Sequence, residues 1–121
     1  MRRRLLIVED AELDRDLLVQ IFEGTYDIQL APDGETAYQL VSNEPPDLVL
    51  MDIGLPGVSG LEAVRAIRML GLTSPVIAVS SRVMPGDRER ALAAGCDDFM
   101  AKPIDDLALV EMVGALLGQR R

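Results

Sequence analysis

Leu48-Val49-Leu50-Met51-Asp52 is an apolar run that ends abruptly on a carboxylate. Its length and β-branched content read as a strand buried on both faces, the form strands take in a parallel sheet. Three further runs share the pattern: Leu5-Leu6-Ile7-Val8 leads into Glu9-Asp10, Val76-Ile77-Ala78-Val79 into Ser80-Ser81, and Phe99-Met100-Ala101 into Lys102-Pro103. Lys102 is the only lysine in the chain. Ligands of open parallel sheets bind beyond the carboxyl ends of the strands. If the runs are neighbouring strands, three carboxylates, a hydroxyl and an ammonium meet in one crevice.

Helical patterns separate these runs. Leu13, Leu17, Leu18, Ile21 and Phe22 fall on one face ahead of Gly24. Tyr26 to Leu30 is a weaker strand candidate, and Asp33 is placed to cap a helix carrying Ala37, Leu40 and Val41 that ends before Pro45-Pro46. Ser59-Gly60-Leu61-Glu62 has the spacing of a capping box for a helix that runs on to Gly71. Pro85-Gly86 opens a helix to Gly95 on which Asp87, Arg88 and Arg90 read as a solvated face, and Asp105 or Asp106 caps a last one from Leu107 to Leu117. Strand and helix alternate five times with short connections, which predicts an α/β fold: one doubly wound, five-stranded parallel sheet with helices on both faces. The flavodoxin-like order 2-1-3-4-5 would set Glu9-Asp10 beside Asp52.

The last helix carries more apolar residues than one face needs. Leu107, Val110, Val113 and Leu117 suffice for a core stripe, while Leu109, Met112 and Leu116 form a second. A helix apolar on two sides is either buried more deeply than usual or offers a partner or homodimer surface. Both readings stand at this point.

The 121 residues, 49% of them hydrophobic, match one domain spanning 1–121. The lone Cys96 cannot form an intrachain disulfide, which favours a reducing, cytoplasmic setting. Arg2-Arg3-Arg4 before an apolar run imitates a secretory signal, but the run stops at Glu9, and no segment reaches membrane-spanning length. A net charge of −8 argues against direct nucleic-acid binding. There is no histidine, so imidazole base catalysis and histidine metal ligation are excluded, and any phosphohistidine must belong to a partner.

Three crowded carboxylates repel one another, which raises at least one pKa and favours a hard divalent cation; Mg²⁺ suits an all-oxygen set. Asp52, ionised at neutral pH, is able to attack phosphorus without a general base. Lys102 supplies a compact positive charge for a phosphoryl oxygen, and Ser80 a hydrogen bond.

Together, Ile7-Val8-Glu9-Asp10, Leu50-Met51-Asp52 with Pro56 and Gly60 downstream, Ala78-Val79-Ser80-Ser81, and Asp97 to Ile104 resemble the receiver domain of two-component response regulators. The resemblance covers nearly the whole chain. It implies that Asp52 accepts a phosphoryl group from a histidine kinase or histidine phosphotransfer protein, and that Glu9, Asp10, Asp52 and the Gly54 carbonyl hold Mg²⁺. Lys102 would pair with the phosphoryl group across a cis Lys102-Pro103 bond, Ser80 and Phe99 would form the switch pair, and small Ser81 would let the phosphoryl group approach. Such a chain assists its own phosphotransfer and autodephosphorylation rather than acting as an enzyme on other substrates, and signals to a downstream protein target or output domain. Glu9, Ser80 and Gly54 depart mildly from the commonest family pattern, with Gly54 leaving the phosphoryl group open to water and Arg82 placed to shield it.

Rival readings are weaker. A Mg²⁺-dependent aspartyl-phosphate phosphatase carries a second Asp two residues past the nucleophile, where this chain has Gly54. A flavin carrier needs a Gly- or Ser-rich turn in place of Glu9-Asp10-Ala11-Glu12. A degenerate receiver that only docks partners would not need the complete acceptor set.

Overall fold

A computed structural model describes residues 2–54, 59–81 and 84–118. Pro56 and Arg82 lie outside the described residues. Five strands, β1 (Arg4–Val8), β2 (Asp27–Ala31), β3 (Leu48–Asp52), β4 (Val76–Ser80) and β5 (Asp98–Ala101), alternate with five helices, α1 (Glu12–Phe22), α2 (Gly34–Asn43), α3 (Gly60–Met69), α4 (Asp87–Ala94) and α5 (Asp106–Gly118). The strands form one parallel sheet in the order β2-β1-β3-β4-β5. Val8 pairs with Met51 and Asp52 with Val79 in register, so Glu9 and Asp52 emerge side by side at one sheet end.

Alternation along the strands builds two cores. Leu6, Val8, Val49, Met51, Val76 and Ala78 pack toward α2, α3 and α4, and Leu5, Ile7, Leu48, Leu50, Ile77 and Val79 pack toward α1 and α5. The central strands are therefore apolar on both faces because helices cover both.

Helix ends follow local chemistry. The Asp33 carboxylate accepts the Thr36 N–H at 2.7 Å, Ser59 Oγ accepts the Glu62 N–H at 3.2 Å, and Asp105, not Asp106, accepts the Ala108 N–H at 3.0 Å. The Thr36 N–H, which bonds the ionised form, holds the Asp33 carboxyl below its usual value. Asp33 thus contributes stability that is complete above its ordinary pKa of 3.8 and is lost as pH falls through its lowered folded value. Asp33→Asn keeps a capping oxygen without the titration, so a denaturation series between about pH 2 and 5 should give a shallower acid limb than the parent.

No basic residue lies in the last turn of α1, α2 or α5. The arginine triplet at the start of the chain serves those ends instead. Arg2 donates to the Glu23 carbonyl at 2.9 Å and Arg3 to the Leu117 carbonyl at 2.7 Å, while Arg4 pairs with Glu44 at 2.5 Å. Cations there complement the negative helix ends. Arg68 binds the same end of the molecule together, donating to the carbonyls of Leu72, Ser74 and Gly95 and to Asp97.

The two stripes expected on α5 are replaced by one. Leu109 is fully buried with Val113 and Leu117, and Met112 and Leu116 pack against that core. Leu109, Met112 and Leu116 therefore do not form an outward partner surface, because at 3.6 residues per turn they share a broad face with Val113 and Leu117. Leu107 and Val110, expected inside, are exposed at 68% and 44%. On α1 the core is reached by Leu18 and Phe22, while Leu13 is 85% and Leu17 37% exposed. Asp87 also departs from its expected solvated place: it is buried, accepts the Met84 N–H at 2.7 Å and pairs with Arg90. Both contacts favour its ionised form, the Met84 N–H first, and hold its pKa low.

Candidate functional site

Beyond the carboxyl ends of β1, β3 and β5, Glu9, Asp10, Asp52 and Lys102 come together. Glu9 is 1% exposed, its N–H tied to the Ala31 carbonyl at 3.0 Å and its Oε2 accepting the Ala11 N–H at 3.2 Å. Asp52 is buried at the end of β3, with its Oδ1 accepting the Gly54 N–H at 2.9 Å. Asp10 is exposed at the rim. One carboxylate oxygen from each of the three lies within 4.8 Å of the others.

Lys102 is held in place by its own backbone, whose N–H donates to the Ser80 carbonyl at 2.7 Å, and the following Lys102–Pro103 bond is cis. Its Nζ donates to Glu9 Oε1 at 2.6 Å and to Asp14 Oδ2 at 2.9 Å, and lies 3.7 Å from Asp52 Oδ2. Burial alone would lower the ammonium pKa, but bonds to Glu9 and Asp14 and the Asp52 charge outweigh it and leave it raised. The Glu9 carboxyl is pushed up to about 7, first by burial and then by its contact with Asp52, against the opposing pull of Lys102. One carboxyl of the cluster therefore carries the strain that crowded acids predict.

Ser80 is buried at the end of β4, Ser81 beside it is exposed, and Phe99 is half-buried on β5 against the α2, α3 and α4 core. Gly54 is exposed, and a Cβ there would make only ordinary contact with Asp52 Oδ1, at 3.5 Å. Cys96 is buried and its thiol is pushed up to about 11, chiefly by burial, which makes it a packing residue.

Two residues near the site gained no such part from sequence. Asp14 sits one helical turn past Asp10 in the first turn of α1, and its spacing gave the only hint of a contact. Gly60 begins α3 against β3: a Cβ on it would fall 2.4 Å from both the Asp52 carbonyl oxygen and Ile53 Cα. Only glycine permits so close an approach of two backbones.

The donor set is all carboxylate oxygen at the cluster, which fits a hard divalent cation and not a soft one. The Lys102 ammonium supplies positive charge to Glu9, through its bond to Oε1, and to nearby Asp52. Any added cation must therefore compete with it for Glu9.

Residues 5–114 match the family described as the response regulator receiver domain, and the chain belongs to that family. It is 39% identical to the two-component response regulator ORR41 of Oryza sativa subsp. japonica, over 98% of this chain and 94% of the relative. It is 37% identical to the polar-differentiation response regulator DivK of Brucella anthropi, over 98% of each. Against the two-component response regulator PhoP of Pseudomonas aeruginosa, also 37% identical, it spans about half of the relative, 51%. Among solved structures it is similar to the receiver domain of a sensor histidine kinase from Pseudomonas aeruginosa PAO1, which has a magnesium ion coordinated in its active-site cleft. That match has 31% identity and a TM-score of 0.88, covering 98% of this chain and 99% of the other. The signal receiver domain of a Luxo repressor protein from Vibrio parahaemolyticus superposes with a TM-score of 0.92 at 28% identity, over 98% and 92% of the two chains.

Among the described residues, no helix is long and apolar enough to cross a membrane.

Proposed function

We propose that this chain is a phosphorylation-dependent signalling switch whose acceptor is Asp52. The observation that carries this reading is the placement of the Lys102 ammonium 3.7 Å from Asp52 Oδ2 inside a cluster of carboxylates. An Asp52 oxygen attacks the phosphorus of a partner's phosphohistidine; the new O–P bond forms as the P–N bond breaks, and its electron pair leaves with the imidazole nitrogen. No general base is required, because the carboxylate has no proton to lose. Catalysis is then positioning and charge neutralisation.

Glu9, Asp10, Asp52 and the Gly54 carbonyl are assigned to hold Mg²⁺, which supplies charge neutralisation for phosphoryl oxygens. Lys102 provides the second positive charge. Ser80 donates a hydrogen bond to the phosphoryl group and Phe99 turns with it as the second member of the switch, while Ser81 keeps the approach open. Gly54 leaves the acyl phosphate accessible to water, so its hydrolysis limits the lifetime of the signal. A histidine kinase or histidine phosphotransfer protein is the donor, and a downstream protein or output domain reads the result.

Incubation with a small acyl phosphate and Mg²⁺, followed by peptide mapping of the label, tests the assignment. A single acid-stable, base-labile phosphoryl group on the peptide containing Asp52, absent when Mg²⁺ is chelated, is expected. Label on another residue, or equal uptake without the metal, overturns it.

A further inference from the structure

We propose that Asp14 is a positioning residue, a reversible latch that holds the Lys102 ammonium away from Asp52 in the resting protein and yields it when a phosphoryl group arrives. The inference rests on the reading of Asp52 as phosphoacceptor. Of three carboxylates around Nζ, Asp14 and Glu9 hold hydrogen bonds at 2.9 and 2.6 Å, and Asp52, at 3.7 Å, holds none. Lys102 is thus turned toward the two acids that do not accept the phosphoryl group.

The two holding bonds are unequal. The Glu9 side chain is 1% exposed and Lys102 11%, so that pair is desolvated, whereas the Asp14 side chain is 45% exposed. Exposed ion pairs are weak and water replaces them readily; buried ones are not easily dissolved. Glu9 is also a proposed cation ligand, and a cation bound there takes over its charge. Asp14 is then the one acid of the three that neither ligates the cation nor receives the phosphoryl group, and it still competes for Lys102. A phosphoryl group on Asp52 brings anionic oxygens next to an ammonium on a flexible stem, and the bond to Asp14 is given up. Each such bond made at rest weighs against the phosphorylated state, because free energy common to both states shifts nothing while this term belongs to one.

The test is equilibrium binding of beryllofluoride, a phosphoryl mimic, in the presence of Mg²⁺. Asp14→Asn is expected to tighten binding by about two- to five-fold, the range a half-exposed ion pair spans. Asp14→Glu, which keeps the charge, is expected to bind as the parent does, and raising the ionic strength should narrow the gap between Asp14→Asn and the parent. Thermal unfolding of each metal-free protein confirms that the variants are folded. If Asp14 merely fastened α1 to β5, Asp14→Asn would bind no tighter than the parent; that result, or equal tightening in Asp14→Glu, overturns the latch alone. A parent chain that binds no beryllofluoride and takes no label on Asp52 overturns the phosphoacceptor reading, and the latch with it.

Discussion

Gly60→Ala is expected to lower the free energy of unfolding by about 3 kcal/mol, at the upper end of what overpacking costs. The added methyl would meet the Asp52 carbonyl oxygen and Ile53 Cα at 2.4 Å, and both atoms are main chain. Neither can rotate away as the tip of a side chain would. Relief requires the start of α3 to part from the end of β3, and the strand end that moves is the one carrying Asp52. Urea unfolding should therefore show a lower midpoint, and phosphoryl uptake at temperatures where the variant is folded should also fall. Parent-like values in both measurements would show that the close approach is not needed.

Lys102→Ala is expected to act in opposite directions on two measurements. Phosphoryl uptake from an acyl phosphate should drop about a hundredfold, the loss usual when one preorganised charge leaves a reacting group. Affinity for Mg²⁺ should rise, by about tenfold, because the ammonium that holds Glu9 Oε1 at 2.6 Å is gone. Metal-free stability should fall by up to about 3 kcal/mol, since buried acids lose their cation. Isothermal titration with Mg²⁺ and a labelling time course separate the two effects. A decline in both would mean that Lys102 mainly holds the crevice together.

The sheet was legible because its central strands are apolar without interruption, and four of the five runs end on polar residues that the register then brings to one rim. β2 was fainter. It is an edge strand with Asp27 and Leu30 exposed, so its pattern is neither a continuous run nor a clean alternation. Caps at Asp33 and Ser59 were readable from a few neighbouring residues. The face of α5 was not: seven large apolar residues on one helix, besides two alanines, allow more than one stripe, and only packing against β1, β3 and β4 selects Leu109 over Leu107. Asp14 was missed because its bond spans 88 positions, and Gly60 was named as a cap and motif position without its reason, a backbone approach that no residue pattern displays.

The arginines that close the helix ends have a consequence for how this acidic chain meets others. Arg2, Arg3, Arg4 and Arg68 gather at the amino ends of the strands, and Glu9, Asp10, Asp14 and Asp52 at the carboxyl ends. Every helix runs antiparallel to its strand, so positive helix N-termini lie at the acidic rim and negative C-termini at the arginine end, and the aligned peptide groups partly offset the side-chain charge at both ends. At the amino ends Glu44, Asp47 and Asp97 face those arginines, whereas at the carboxyl ends Lys102 is the one cation within 4 Å of Glu9, Asp14 and Asp52 among the described residues. The acidic rim at the carboxyl ends is thus the part of the surface that draws an approaching positive surface before contact, and that attraction fades as salt is added.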